Sequence, residues 1–255
     1  MNDLLPTRRA GGFLPAITMV VVTSVLVADS PAPPEPSSYA PIQDVNNQVD
    51  YFLKRIGRDL KDAEDFGEDQ AGRIQKDAST LAVLALVLAN HDKDSERKPA
   101  AGLLLEAAKE LAGSASDFDQ AQAAWTRLQR ALESTGPGRA VTWEPVADLA
   151  TLMQQVPIVN NSLRRGVNGR RFKRSVDKTA GLAATLAALA QASSLDTGYC
   201  SDQEEEVLWR EICAQLRDSA AEVNAAVRAG DQEAAKAALA KSVQSCDACH
   251  HRFRD

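Results

Sequence analysis

The 255-residue chain is expected to be all-α, on three observations. From Ile42 onward apolar residues recur at i, i+3 and i+4, as in Val49, Phe52, Leu53, Ile56 and Leu60, and no segment alternates convincingly. Aromatic residues make up only 5%, while alanine recurs in runs such as Leu81 to Ala89 and Ala183 to Ala190, a composition suited to close-packed helices. Turn-forming clusters at Asp65 to Gly72, His91 to Pro99, Gly113 to Asp119 and Thr135 to Thr142, with more in the second half, divide the region into about eight helices.

Hydrophobic residues at 44% and charged residues at 25% exclude both a disordered chain and a polytopic membrane protein. A net charge of −6 offers no basic face for a nucleic-acid backbone, so no nucleic-acid partner is expected.

The first forty residues carry a targeting message. Arg8 and Arg9 precede an apolar run from Phe13 to Ala28, followed by the small-residue pattern Ala28-Asp29-Ser30. The run is shorter than the roughly 20 residues a membrane-crossing helix needs, so 1–30 reads as a signal peptide or an N-terminal anchor, with cleavage favoured. The product would be periplasmic or otherwise exported. Five prolines between Pro31 and Pro41 predict an extended, unpacked linker over 31–41.

The strongest break, Thr135-Gly136-Pro137-Gly138, splits the remainder into two parts of similar length. Each is long enough for an antiparallel four-helix bundle: 42–135, a linker at 136–142, and 143–255. The parts also resemble each other. Lys76-Asp77-Ala78-Ser79-Thr80-Leu81-Ala82-Val83-Leu84-Ala85 aligns with Lys178-Thr179-Ala180-Gly181-Leu182-Ala183-Ala184-Thr185-Leu186-Ala187, and Leu53-Lys54-Arg55 with Leu163-Arg164-Arg165. The helix of Trp125, Leu128 and Leu132 falls in phase with that of Leu239 and Val243, which puts Thr135 opposite Cys246. An internal duplication is the expectation.

The halves differ where chemistry is concerned. The chain ends Ser245-Cys246-Asp247-Ala248-Cys249-His250-His251-Arg252-Phe253-Arg254, containing C-x-x-C-H, the attachment spacing of a c-type haem. Two thiols three positions apart share a helix face and can add to two vinyl groups, while the adjacent imidazole reaches the iron. Cys246 and Cys249 are therefore the candidate tethers of one covalent haem c, and His250 the proximal iron ligand. A zinc site would want a second Cys or His pair at finger spacing, and a thioredoxin-like motif a βαβ context; the sequence offers neither. The first half has no cysteine, so it cannot attach a second haem.

The ending C-x-A-C-H-x-x-F-R on the last helix resembles the cytochrome c′ family, well over Trp143 to Asp255 and weakly over Ile42 to Ser134. With the break and the repeat predicting two tandem bundles, that resemblance implies that the second is of cytochrome c′ type. It also implies that Phe253 packs near the haem and Arg254 meets a propionate or the proximal side. Family members differ at the sixth coordination position: cytochromes c′ proper present an apolar residue from the first helix, their low-spin relatives a methionine. Met153, the only methionine beyond the N-terminal segment, lies on the first helix of the second half with Leu149, Leu152 and Val156. It is a candidate sixth ligand, with core filling as the alternative. Pairing Leu163 with Leu53 puts Met153 opposite Gln43. Pro157 cannot donate to the carbonyl of Met153, so either a kink falls there or the helix starts near Pro157 with Met153 in the preceding loop.

Other features have plainer readings. A capping box at Ser201 and Glu204 would put Cys200 and Cys213 roughly 18 Å apart, too far for a disulfide, and leave both as free thiols. Arg164, Arg165, Arg170, Arg171, Lys173, Arg174 and Lys178 form a basic stretch, read as a solvated face or as a surface for an acidic redox partner or haem propionates. Trp125, Trp143 and Trp209 suit core or inter-bundle packing, and His91 and His251 are expected to face solvent. No catalytic constellation appears, so an enzyme is not expected. The expectation is an exported monohaem cytochrome passing one electron to a redox partner protein. The alternatives are a five-coordinate haem protein binding nitric oxide or carbon monoxide, or a partner-binding or homodimerising module with a structural haem.

Overall fold

A computed structural model describes residues 32–134, 140–170 and 172–254. The expected export segment, the Gly136-Pro137-Gly138 turn and Arg171 lie outside the described residues. Among them are eight α-helices and no strand: α1 (Ile42–Asp59), α2 (Glu68–Ala89), α3 (Ala101–Ser114), α4 (Phe118–Leu132), α5 (Leu149–Asn168), α6 (Val176–Ser193), α7 (Gln203–Ala229) and α8 (Gln232–Phe253). The fold is all-α as expected, and no described helix is long and apolar enough to cross a membrane.

Local chemistry sets the helix ends. Asp117, Asp148, Asp202 and Asp231 each accept the backbone N–H three residues on, opening α4, α5, α7 and α8. The cap of α7 is thus Asp202, one residue beyond the expected Ser201; Ser201 instead donates its amide to Glu205 Oε2 at 2.8 Å. Gly230, at φ 75°, closes α7 in the left-handed region that glycine adopts without strain.

The alanine runs form the centre of the molecule. Every residue from Asp77 to Leu88 in α2 and from Thr179 to Ser193 in α6 is buried, as expected of helices surrounded by others. Consecutive helices pack within each half, α1 also packs on α6, and α2 on both α5 and α6, so one core runs through both halves. The close approach of α1 to α6 needs Gly181: a Cβ there would lie 2.3 Å from Gln48 Nε2. Thr185 donates to Gln48 Oε1 at 3.0 Å, and Asn224 donates to both Asp44 Oδ2 and Ala180 O at 2.8 Å. Arg228 also pairs with the buried Asp44.

Burial sets a register between the halves that differs from the one read off identities. Val45, Gln48, Val49, Phe52 and Ile56 of α1 have the same spacing as Leu152, Gln155, Val156, Val159 and Leu163 of α5. Leu163 therefore falls opposite Ile56 rather than Leu53, and Met153 opposite Asn46 rather than Gln43. For α4 and α8 the buried residues fit the expected register, with Ala124, Leu128 and Ala131 opposite Ala235, Leu239 and Ser242, as well as one shifted by three residues. Gln48 and Gln155 are then counterparts, and each crosses to the other half, Gln48 to Thr185 and Gln155 to Asp77.

Two further expectations are corrected. The linker is packed over its last residues: Pro36 to Ser38 form a 3-10 turn, Pro36, Tyr39 and Ala40 are buried, and Ser37 donates through backbone and hydroxyl to Asp92. These hydrogen bonds to Ser37 hold the Asp92 carboxyl below its usual range. His91 does not face solvent but is buried. Its Nδ1 accepts from the Lys93 amide at 3.0 Å, which leaves Nε2 to donate to Ala40 O, also at 3.0 Å. A histidine just past the end of α2 is drawn inward because that carbonyl needs a donor.

Candidate functional site

The second half has longer helices than the first at one end. α7 and α8 span 27 and 22 residues, where α3 and α4 span 14 and 15. The extra turns are the N-terminal part of α7 and the C-terminal part of α8, and they carry Trp209, Ile212, Cys213, Cys249, His250 and Phe253. With the first turns of α5 they line an open cavity of about 350 Å³ bordered by Leu149, Met153, Tyr199, Trp209, His250 and Arg254. A narrower pocket of about 50 Å³, sharing Met153, Pro157, Trp209, Cys249 and His250, continues inward to Cys246, Cys213 and Ser193. At the matching end of the first half, Arg97 covers α1 instead, donating to Asn46 O at 3.2 Å and Asp50 Oδ1 at 2.7 Å.

All the residues singled out by the motif meet at this cavity. Cys246 and Cys249 are half-buried, one turn apart on the same face of α8; His250 is exposed and sits on the rim beside Phe253 and Arg254. Burial raises both thiols, Cys249 to about 11, so neither is a thiolate at neutral pH in the folded chain. Phe253 packs edge-on against Trp209, with centroids 5.1 Å apart and planes at 90°, and Trp209 Nε1 donates to Ser193 O at 2.9 Å. That pair closes the cavity between α7 and α8.

Met153 faces the same space. Asp148 starts α5 four residues before Leu152, so Met153 is helical and Pro157 lies inside the helix, which removes the loop alternative. Pro157 leaves the Met153 carbonyl without its i+4 donor, and both residues border the cavity.

Sequence reasoning missed several wall residues. Spacing alone assigns Trp209 to core or inter-bundle packing and Cys200 and Cys213 to free thiols, with no part in a site. Instead Leu149, Trp209 and Cys213 form a small apolar cluster with Met153, Cys200, Cys249 and Phe253 packed on it, so all four cysteines of the chain border one region. Each is a free thiol, as the spacing argument expected for Cys200 and Cys213. Desolvation holds the Cys213 thiol far above its ordinary range. The basic stretch is elsewhere: Arg170, Lys173 and Arg174 follow the far end of α5, roughly 20 Å along the helix from Met153, out of reach of groups at this cavity. Among the described residues no group of three or more His, Cys, Asp or Glu side chains is arranged to hold a bare metal ion.

No protein-family model, curated protein or solved structure matches the chain.

Proposed function

We propose that the chain is an exported monohaem c-type cytochrome of cytochrome c′ type that carries single electrons. The observation behind this reading is the convergence of the C-x-x-C-H thiols and imidazole with Met153 on one largely apolar cavity. The site suits a tethered porphyrin: two thiols on one helix face, an adjacent imidazole, aromatic and aliphatic walls, and a volume within the usual ligand range of roughly 300–1,000 Å³ when the continuing pocket and open mouth are included.

In this reading Cys246 and Cys249 would tether the haem through thioethers, and His250 and Met153 would bind its iron. Trp209 and Phe253 keep water from the inner face, and Arg254 on the rim meets a propionate. Haem supplies a one-electron iron couple whose potential follows from axial ligands and burial. Attachment belongs to the newly exported, still unfolded chain, where both half-buried thiols are fully accessible. Each half is a four-helix bundle fused through α1, α2, α5 and α6, and the haem-free copy buttresses α5.

The test is to produce the mature chain with a c-type haem maturation system and record ferrous spectra with and without carbon monoxide. A low-spin spectrum that ignores the gas, turning high-spin and gas-sensitive in Met153→Ala, is expected. A high-spin, gas-sensitive wild type contradicts Met153 ligation and favours the gas-binding alternative.

A further inference from the structure

The first turns of α7 present two faces of opposite character. Trp209, Ile212 and Cys213 look inward to the cavity, while Glu204, Val207, Leu208 and Glu211 recur at i, i+3, i+4 and i+7 along the solvent side. Val207 is 50% exposed and Leu208 37%, and both lie in an open surface depression with Asp202, Glu204, Glu205, Glu211 and Arg252. Most exposed large apolar residues on a protein stand alone among mixed charges. Here two adjacent ones stand inside a rim of four carboxylates against a single guanidinium, already paired with Glu205 at 2.6 Å.

The patch adjoins the mouth of the cavity. Leu208 and Arg252 line the depression, while their chain neighbours Trp209 and Phe253 line the cavity. Tyr199, 52% exposed, also borders that mouth. An apolar centre with a charged rim is the anatomy of a transient docking surface: the rim steers and the centre holds.

Given the electron-carrier reading above, we propose that the Val207–Leu208 patch docks a basic redox protein, one that presents lysines or arginines around an apolar spot at its own electron-exit point. The carboxylates reject acidic partners, and contact there sets the partner beside Tyr199, Trp209 and Phe253 at the cavity mouth. This location displaces the basic stretch at Arg170 to Lys178 as the docking face, because that stretch lies at the remote end of α5.

The test is calorimetric titration of the haem-loaded protein with a small lysine-rich c-type cytochrome as probe, at low and at moderate ionic strength. Val207→Ser with Leu208→Ser, and separately Glu204→Gln with Glu211→Gln, should each weaken binding by about tenfold at low salt, and added salt should weaken the wild type by a similar factor. All four positions are at the surface, so the variants fold. Equal affinity in wild type and both variants overturns the proposal. So does binding of an acidic redox probe through Arg170 and Arg174 in place of the basic one. Sedimentation of the same samples separates a further outcome: self-association lost in Val207→Ser/Leu208→Ser would make the patch a face for a second copy and also overturn it. The absorbance spectrum of each sample reports haem attachment independently, so failure of the cytochrome reading is visible apart from failure of the docking surface.

Discussion

The indole of Trp209 bridges two elements: its Nε1 donates to Ser193 O at the end of α6, at 2.9 Å, while its ring meets that of Phe253 from α8 at right angles, at 5.1 Å between centroids. Trp209 thereby fixes how the last turn of α8, with His250 on it, stands against α6 and α7. Trp209→Phe keeps the aromatic contact but removes one of two donors to Ser193 O, which the Asp196 amide also reaches at 3.2 Å. It should cost about 0.5–1.5 kcal/mol in urea unfolding, and Trp209→Ala more, by adding a void. If Trp209→Phe unfolds at the wild-type midpoint, the hydrogen bond contributes nothing.

The α1–α6 contact makes an equally specific demand. Gly181→Ala would drive a Cβ to 2.3 Å from Gln48 Nε2, so a loss of about 1–3 kcal/mol is expected, with most of it recovered in Gln48→Ala/Gly181→Ala. Additive losses in the double variant would show that the strain lies elsewhere.

How far this fold could be read in advance depends on the range of the forces involved. Helix positions and breaks follow from neighbours within a turn, and the C-x-x-C-H spacing is local, so both were legible. The burial of His91 depends on a carbonyl 51 residues away at Ala40. The roles of Trp209, Tyr199 and Cys213 depend on which turns of α7 outrun α3, a matter of packing between helices. The slip from Leu53 to Ile56 as the partner of Leu163 has the same origin, because alanine repeats leave the register to three-dimensional burial.

Asp77 gives the interface between the halves a pH dependence. It is 1% exposed, bonded to Arg55 Nε at 2.8 Å and to Gln155 Nε2 at 3.4 Å. Burial outweighs the Arg55 charge and raises its carboxyl from 3.8 to about 6. A folded-state value above the unfolded one means that the folded chain holds the proton more tightly between those limits. The associated stability is present below pH 3.8 and is lost as pH rises through about 6. Measured against Asp77→Asn, wild-type stability should fall by about 2–3 kcal/mol from pH 4 to pH 7. A constant difference across that range would contradict the raised value.

The four thiols should separate by accessibility. In haem-loaded protein, alkylation should modify half-buried Cys200 slowly, and Cys213, 6% exposed, only after denaturation, with Cys246 and Cys249 refractory throughout. Peptide mapping that recovers a Cys200–Cys213 disulfide would contradict the free-thiol arrangement.

Intact mass under denaturing conditions, after export with the maturation machinery, is the most direct measurement on the site. An increment of one haem that survives acidified organic extraction, and that disappears in Cys246→Ser/Cys249→Ser, is the expected result. An unmodified chain mass from a strain that loads other c-type cytochromes would contradict covalent haem at Cys246 and Cys249, and with it the electron-carrier function.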